Sequence, residues 1–299
     1  MPFTNLVSEQ GSTIVLLGII TLRDVDAFLD TRKKSNRYNK ERSFSDAQQK
    51  DDLAVGSPTQ FRIPTRSADD SSIALRIENL SKVYFSGAAG TVVALRKINF
   101  TIKKGEFVSI VGPSGSGKST LLNLIGALDR PTIGKVFIDG IDIFSLKDSE
   151  IAKMRNNLIG FIFQSYNLIN RTTVQKNVEL PAIISGMSSA NRKRRSLKIL
   201  QALGIADKAK HKPSSLSGGQ QQRVAIARSL INDPTIILAD EPTGNLDSKT
   251  GQEIFQMLKT LSNKFRRTII MVTHNPELAE STDRSIFIID GRVERDTVN

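Results

Sequence analysis

Apolar and polar positions change their spacing several times along the chain, and each change marks a predicted element. Alternating Ile73, Leu75 and Ile77 predict a strand, and the run over 98–102 predicts a second one ahead of the main core. Further strands are predicted at 107–111, 135–139, 159–164, 235–241, 268–273 and a last one at 285–289. Several of these runs are almost wholly apolar, which is typical of parallel strands that are buried on both faces.

Apolar residues at helical spacing predict six helices between these strands. The predicted ranges are 118–127, 148–156, 174–184, 191–203, 219–231 and 251–261. The helices at 174–184, 191–203 and 219–231 follow one another with no strand between them. We therefore expect an α/β core with a helical subdomain, at about 165–232, inserted into it.

The first 72 residues follow a different pattern and are predicted to form an N-terminal extension ahead of a domain at 73–299. The apolar run at 14–20 is shorter than the roughly 20 residues that a membrane-spanning helix needs, and its flanks do not resemble a secretory signal. Residues 30–72 are polar and lack a period, which predicts a disordered linker. The sequence leaves open whether residues 1–29 form a docking element or follow a misplaced start codon.

Composition narrows the chemistry. The chain has no cysteine, which excludes disulfides, thiol nucleophiles and zinc–thiolate sites. Its formal net charge is +12, and because residues 1–70 carry ten basic and ten acidic residues, the whole excess lies in the remainder. Such an excess is compatible with a nucleic-acid or anionic-membrane partner.

A glycine-rich loop between the strand at 107–111 and the following helix has the Gly-x-x-x-x-Gly-Lys-Ser pattern. Its backbone N–H groups and the helix N-terminus favour phosphate, Lys118 would reach the β- and γ-phosphates, and Ser119 would ligate Mg²⁺. The predicted nucleotide-binding residues here are Gly112, Pro113, Ser114, Gly115, Ser116, Gly117, Lys118, Ser119 and Thr120. A glycine turn that only joins a strand to a helix is the simpler alternative.

Two carboxylates end the apolar strand at 235–241, where ligands bind in an open parallel sheet. Asp240 is predicted to hold Mg²⁺, directly or through water, and Glu241 to orient and polarise the attacking water. Together with the glycine-rich loop, this Walker B pattern predicts an enzyme that hydrolyses a nucleoside triphosphate.

The segment Leu216-Ser217-Gly218-Gly219-Gln220 precedes the predicted helix at 219–231, and here the chain resembles the ATP-binding cassette (ABC) ATPases. The resemblance covers about residues 73–296 and implies a P-loop NTPase cassette: a RecA-like mixed or parallel sheet core with an antiparallel β edge and an inserted helical subdomain. Ser217 and the glycine N–H groups form a second anion site. In the family, each such signature closes over the ATP of a second subunit, so Ser217, Gly218, Gly219 and Gln220 are predicted to bind nucleotide in trans.

Other family motifs match single residues. Tyr84 looks like the adenine-stacking residue, although by position alone it is equally a surface tyrosine at a strand end. Gln164 looks like the Q-loop residue that meets Mg²⁺ and takes part in catalysis, Asp247 lies in the D-loop, and His274 looks like the γ-phosphate sensor, although a lone histidine at a strand end is more often structural. The resemblance therefore implies ATP and Mg²⁺ as ligands.

Four segments carry a narrower resemblance: Tyr166-Asn167-Leu168-Ile169, Asn177-Val178-Glu179-Leu180-Pro181, the run at 240–251 and Asp290-Gly291. They resemble the macrolide-exporter and lipoprotein-release group (MacB and LolD), with the cell-division FtsE-type ATPases as close relatives. This resemblance implies a peripheral ATPase at the cytoplasmic face of the cell membrane, working as a dimer with a separate integral membrane permease of the FtsX or MacB kind. Asn170-Arg171 and Lys176 depart from the group pattern at the face that meets the permease, which leaves the substrate open.

Two alternatives remain at this point. One is an ABC protein that acts on nucleic acid or ribosomes, which the charge excess favours but the single cassette, the missing coiled-coil insertion and the missing cysteines disfavour. The other concerns the basic helix at 191–203, where Arg192, Lys193, Arg194, Arg195 and Lys198 lie beside Leu197, Leu200 and Leu203. That helix either presents a solvated charged face or attracts anionic lipid headgroups.

Overall fold

The computed structural model describes residues 72–85 and 90–299. The predicted extension at 1–72 therefore lies outside the described residues, apart from Ser72. The elements fall into two sheets, one group of core helices and one group of consecutive helices. They are strands β1 (Ile73–Phe85), β2 (Thr91–Lys103) and β3 (Phe107–Val111), helix α1 (Lys118–Ile125), strands β4 (Ile133–Ile138) and β5 (Ile141–Asp142), helix α2 (Asp148–Leu158), strand β6 (Ile159–Ile162), helices α3 (Val174–Ile184), α4 (Ser189–Ala202) and α5 (Gly218–Leu230), strand β7 (Ile236–Asp240), helix α6 (Ser248–Phe265), strand β8 (Thr268–Val272), helix α7 (Pro276–Glu280), and strands β9 (Arg284–Ile289) and β10 (Arg292–Val298).

The main sheet has the order β10-β9-β3-β8-β7-β6. Four of its five strand pairings are parallel, and the fifth, between β10 and β9, is antiparallel. Strands β3 and β8 are buried at every position, and β7 is buried except at its last residue, as the continuous apolar runs predict. Helices α1 and α6 contact these strands and cover them. The carboxyl ends of β3, β6, β7 and β8 therefore meet at one edge of the sheet.

A second, antiparallel sheet has the order β2-β1-β4-β5. The two strands predicted ahead of the core, expected to be edge strands, both belong to this sheet, but β1 is not at an edge because it lies between β2 and β4. Both strands also extend well beyond their predicted ranges. Alternation along β2 buries Leu95, Ile98, Phe100 and Ile102 on one face and exposes the residues between them.

The prediction that the strand at 285–289 completes the sheet is wrong, because β10 adds an edge strand after it. Its sequence, Arg-Val-Glu-Arg-Asp-Thr-Val, has no apolar face, and all but one of its residues are exposed. An edge strand of this kind needs few apolar residues, and its charges discourage pairing with another chain. The short elements β5 and α7 were also absent from the sequence prediction.

The inserted helices α3, α4 and α5 pack on one another, in agreement with the predicted subdomain. Asn177 organises the loop ahead of α3: its Oδ1 accepts from the N–H of Ile169, and its Nδ2 donates to Ile169, Thr172 and Thr173. In α4 the buried stripe consists of Ile199, Leu200 and the following Leu203. Leu197, expected on that stripe, is 43% exposed.

Candidate functional site

The glycine-rich loop connects β3 to α1 at the carboxyl edge of the main sheet. Gly112 approaches β9 so closely that a Cβ there would lie 2.1 Å from the carbonyl oxygen of Ile288. Gly117 caps α1 with φ of 102°, and a Cβ there would lie 2.5 Å from the carbonyl oxygen of Ala94. Glycine is required at both positions, and the result is a loop pressed against two neighbouring strands.

Lys118 folds back across this loop. Its Nζ donates to the carbonyl oxygens of Gly112, at 2.9 Å, and Pro113, at 2.8 Å, while the residue is only 8% exposed. Ser119 is exposed and Thr120 half-buried in the first turn of α1, and Pro113, Ser114 and Gly115 are exposed at the loop. The Oγ of Ser116 is buried without a hydrogen-bond partner among the described residues.

Asp240 and Glu241 follow β7 at the same edge. Burial raises the pKa of Asp240, the neighbouring Glu241 charge raises it further, and Lys118 opposes both. Lys118 is therefore close enough to act on Asp240 electrostatically, which joins the glycine-rich loop and the paired carboxylates into one site. Glu241 has a left-handed backbone, with φ of 42°, and its N–H donates to the carbonyl of Val272 on β8. This unusual conformation ends the strand and turns the chain at the carboxylate.

His274 lies two residues beyond the end of β8 and meets the same carboxylate. Its Nδ1 is 3.1 Å from the Oε1 of Glu241, and its side chain is 69% exposed. The structure thus brings together the two residues that the sequence predicted as base and sensor. An exposed imidazole beside a half-buried carboxylate can interact with a ligand that reaches Glu241.

Gln164 lies just beyond β6, next to β7 in the sheet. Its Nε2 donates to the Oδ1 of Asn245 at 3.3 Å, and the Nδ2 of Asn245 donates back to the Gln164 carbonyl at 3.0 Å. Gln164 is thereby tied to the segment that leads into α6. The side chain therefore lies at the carboxyl edge of the sheet, beside the strand that presents Asp240.

Tyr84 lies near the end of β1, with its ring 37% exposed. Its hydroxyl donates to the Oδ2 of Asp129 at 2.8 Å, and the Nζ of Lys82 lies 4.7 Å from the ring centroid. Burial and the Asp129 hydrogen bond raise the pKa of Tyr84, while a hydrogen bond with Thr120 lowers it. Tyr84 is therefore held beside the first turn of α1, with its side chain partly exposed.

The signature segment begins α5. The N–H of Gln220 donates to the Oγ of Ser217, and the N–H of Ser217 donates to the Oε1 of Gln220, forming a capping box. Gly219 is buried, and a Cβ there would lie 2.4 Å from the Cγ2 of Thr250. Within the described residues no hydrogen bond joins segment 217–220 to the glycine-rich loop.

Asp247 caps α6 and is exposed. Its Oδ1 accepts from the N–H of Thr250 at 3.0 Å, and this hydrogen bond holds its pKa below the usual range. Because Thr250 also touches Gly219, the caps of α5 and α6 lie side by side.

Sequence reasoning missed the partners that hold these groups. Asp129 is 45 residues from Tyr84, and no local pattern marks it. Gln222, one turn into α5, is fully buried and donates through Nε2 to the carbonyl of Pro242 at 2.6 Å, next to Glu241. The sequence feature that could have identified Gln222 is its place on the apolar face of the helix, one turn before Ala225 and Ile226.

The chain matches known proteins over most of the described residues. The model of the ABC transporter family matches residues 95–244. An ABC transporter ATP-binding protein of Thermotoga maritima is 50% identical over 220 residues, which cover 74% of this chain and 93% of that protein. The macrolide export ATP-binding/permease protein MacB of Bartonella henselae is 48% identical over 232 residues, which cover 78% of this chain but only 35% of that longer protein.

A third relative has a solved structure. The ABC transporter ATP-binding protein MJ0796 of Methanocaldococcus jannaschii is 51% identical over 226 residues, covering 74% of this chain and 96% of that protein. Its dimeric post-hydrolysis structure, bound to ADP and Pi, matches with a TM-score of 0.69 over 75% of this chain and 98% of that one. The similarity therefore extends from sequence to the arrangement of both sheets and the inserted helices.

Proposed function

This chain belongs to the ABC transporter family of ATP-binding proteins, and from that premise we propose that it is the ATP-hydrolysing subunit that drives a separate membrane permease. The observation that carries the proposal is the assembly at one sheet edge of the glycine-rich loop, Asp240, Glu241 and His274. No helix in the described part of the chain is long and apolar enough to cross a membrane.

The residues at this edge fit Mg–ATP. Among the described residues, Lys118 donates only to uncharged carbonyl oxygens of its own loop, so a phosphate would offer it a stronger, oppositely charged partner. The buried Oγ of Ser116 has no partner among the described residues and gains one if a phosphate oxygen enters the loop. Burial and the neighbouring Glu241 charge raise the pKa of Asp240, and a divalent cation would favour its ionised form.

Each catalytic side chain has a distinct role in this proposal. Ser119, Asp240 and Gln164 would hold Mg²⁺, and the ion would neutralise phosphate charge as the phosphoryl group is transferred. Glu241 orients a water molecule and accepts its proton at Oε1, the atom that His274 already contacts. When His274 turns towards the γ-phosphate, it releases this oxygen of Glu241. The partly exposed ring of Tyr84 would stack on the adenine.

Hydrolysis in this scheme requires two copies of the chain. We infer that the anion site at Ser217, Gly218, Gly219 and Gln220, which forms no hydrogen bond to its own glycine-rich loop among the described residues, closes over the ATP held by a second copy. The dimeric ADP and Pi complex of MJ0796 supports this inference. Asp247, exposed beside the signature, would then lie at the dimer interface.

A cleft of about 390 Å³ between α2, β6, α3 and α5 offers a docking site for the permease. It combines apolar side chains, among them Ile184, which is 74% exposed, with two arginines. Arg155 donates to the carbonyl of Ala127, and Arg228 to the carbonyl of Tyr166. Because backbone carbonyls leave the guanidinium charges uncompensated, the cleft suits a short permease helix with apolar and acidic residues.

The finer assignments follow from the relatives. MacB joins an ATP-binding part to a permease part by its name, and the match covers about a third of it. We propose that the permease of this system is of the MacB or FtsX kind and that the chain binds it at the cytoplasmic face of the membrane. The division of the chain into an extension at 1–72 and a cassette at 73–299 also stays a proposal.

The first experiment tests the catalytic role of Glu241. Glu241→Gln keeps an oxygen near the water but removes the charge that accepts its proton, so ATP should bind, hydrolysis should fall by about 100-fold or more, and dimers should accumulate. Steady-state phosphate release and size exclusion with Mg–ATP measure the two effects. Hydrolysis near the wild-type rate would overturn the role of Glu241, and a monomer with bound ATP would overturn the closed dimer.

A second experiment tests action between subunits. Lys118→Ala removes the phosphate contact, whereas Ser217→Arg obstructs the signature and leaves the chain's own loop intact. A mixture of the two variants allows one intact composite site in a heterodimer, and we expect partial recovery of ATPase activity. Activity of Ser217→Arg alone equal to wild type would contradict a signature that acts on ATP.

A further inference from the structure

The charge excess of the protein is concentrated in one part of the helical subdomain. Residues 165–217 contain ten Lys and Arg but only two acidic residues, Glu179 and Asp207, which accounts for eight of the twelve net positive charges. Glu179 is buried and bonded to Arg192 and Ser196. Asp207 is thus the only acidic side chain that this segment exposes.

Several exposed cations in this segment have no acidic partner among the described residues. Elsewhere in the described chain many cations meet carboxylates, as in Lys82–Asp129, Lys104–Asp139, Lys135–Asp142, Arg223–Glu253 and Arg284–Asp296, although others, such as Lys97 and Lys264, do not. Within the segment, Arg171, Lys193, Lys198, Lys210 and Lys212 are exposed and form no ion pair with any described residue. The segment therefore presents positive charge that the fold does not neutralise.

Backbone contacts place most of these cations on one continuous surface. The N–H of Val174 donates to the carbonyl of His211, and that of Gln175 to the carbonyl of Ala209, which sets the loop at 208–212 against the start of α3. The side chain of Gln175 donates to the carbonyl of Lys193 on α4. We define the basic surface as Arg171, Lys176, Lys193, Lys210 and Lys212.

We propose that the basic surface binds the anionic headgroups of a lipid bilayer. Positive side chains beside an anionic leaflet are attracted within a Debye length of about 8 Å at physiological salt. The proposal rests on the proposed function, because a permease in the cleft holds the chain beside a bilayer. The C-terminal end of α3 lines that cleft and its N-terminal end meets the basic surface, and eleven helical residues span only about 16 Å.

Two features favour lipid over nucleic acid. Apolar side chains are exposed near the cations, with Ile169 45% and Leu197 43% exposed, as suits a headgroup region that accepts both. Residues 167–217 also contain no Phe, Tyr or Trp, so the surface lacks the rings on which single-stranded bases stack.

Arg192 lies next to the basic surface in sequence but is left out of the variant that tests it. Arg192 is turned inward, with its Nε 3.3 Å from Glu179, so its substitution would unpair a buried carboxylate and disturb the fold. A variant with the five residues of the basic surface changed to Gln keeps Arg192, the nearer cation of Glu179. Of the two cations beside Glu179, it removes only the exposed Lys176, whose Nζ lies 3.8 Å from the same carboxylate oxygen. Each cation near an anionic leaflet multiplies membrane partitioning by roughly five-fold, so even two effective residues give a loss of about 25-fold.

The matched control removes the same charge elsewhere: Lys97, Lys103, Lys147, Lys264 and Arg292, all exposed, changed to Gln. The full chain and both variants are sedimented with vesicles of phosphatidylcholine alone and of phosphatidylcholine with phosphatidylglycerol, at low and at high salt. No permease is present, so this result is independent of the permease assignment. ATPase activity in solution should be unchanged in the basic-surface variant, which confirms that it folds.

Binding of wild type and control to phosphatidylglycerol vesicles, weakened by salt and lost about 25-fold or more in the basic-surface variant, supports the proposal. Equal binding by the two variants overturns it, as does equal binding of wild type to neutral vesicles or no binding at all. Loss of binding to a DNA oligonucleotide without loss of vesicle binding would overturn it in favour of a nucleic-acid surface.

Discussion

Gln222 connects the signature helix to the segment that carries Glu241. Its replacement should therefore alter the position of Glu241 while changing the free energy of unfolding little. The side chain is fully buried in α5, and its Nε2 donates to the carbonyl of Pro242, the residue after Glu241. Its Oε1 is buried without a partner among the described residues. We predict that Gln222→Met leaves the fold almost as stable as wild type but lowers ATPase activity markedly.

The magnitude follows from two opposed terms. Loss of the donor leaves the buried carbonyl of Pro242 unpaired, which costs about 1–3 kcal/mol, but Met also removes the unpaired Oε1, which returns a similar amount. Met fills nearly the volume of Gln, so no cavity adds to the balance. The free energy of unfolding should change by no more than about 1 kcal/mol. Glu241, however, loses the contact that fixes its neighbour, and a misplacement of about 1 Å can lower a rate about 100-fold.

Urea unfolding and steady-state ATPase activity measure these two quantities on the same preparation. Gln201→Met, on the exposed surface of α4, is the control for the residue change itself. We expect a fall in kcat of between about 10- and 100-fold for Gln222→Met and none for the control. Activity within a factor of about two of wild type at unchanged stability would refute the positioning role.

Three more predictions concern other parts of the site. Since the folded pKa of Asp240 is raised, its ionised form destabilises the fold at neutral pH, so Asp240→Asn should raise the melting temperature of the nucleotide-free chain at pH 7, with the difference vanishing below about pH 4. Ile184→Glu should abolish permease-stimulated ATPase activity but not basal activity, whereas Val298→Glu, equally exposed on β10, should change neither. Tyr84→Ala should weaken ATP binding by roughly 3- to 10-fold in a calorimetric titration, and Tyr84→Phe, which loses only the hydroxyl bond to Asp129, by less than about two-fold.

The main sheet could be predicted because its strands obey a simple physical rule. A parallel strand covered on both faces must be apolar throughout, so β3, β7 and β8 were marked by their composition alone, and their bounds agree with the structure within one or two residues. The glycine-rich loop could also be recognised from the sequence. Two of its glycines, Gly112 and Gly117, lie too close to neighbouring carbonyl oxygens to carry a Cβ, so they leave a fixed pattern. Strand β10 escaped because an exposed edge strand needs neither pattern.

The orientation of charged side chains could not be predicted from helical spacing. On α4 the sequence shows a run of four cations, yet Arg192 turns inward to Glu179, thirteen residues earlier, while Lys193 stays exposed. The burial of Glu179 decides this, and burial depends on how α3 and α4 pack. In the same way, Gln164 and Asn245 are 81 residues apart and meet only because β6 and β7 pair.

In the single chain, groups proposed to contact ATP already have internal partners. Lys118 binds loop carbonyls, Ser217 is held in a capping box and Glu241 contacts His274. An unpaired buried polar group costs about 1–3 kcal/mol, so the contacts of the buried Lys118 stabilise the loop before nucleotide arrives. Because ATP must replace such internal contacts, its binding free energy gains only the difference between the contacts formed and the contacts broken. The exception is Ser116, whose buried hydroxyl has no hydrogen-bond partner among the described residues. At Ser116 an ATP phosphate therefore forms a new hydrogen bond without breaking an old one, whereas its ion pair with Lys118 must exceed two bonds from the ammonium group to uncharged carbonyl oxygens.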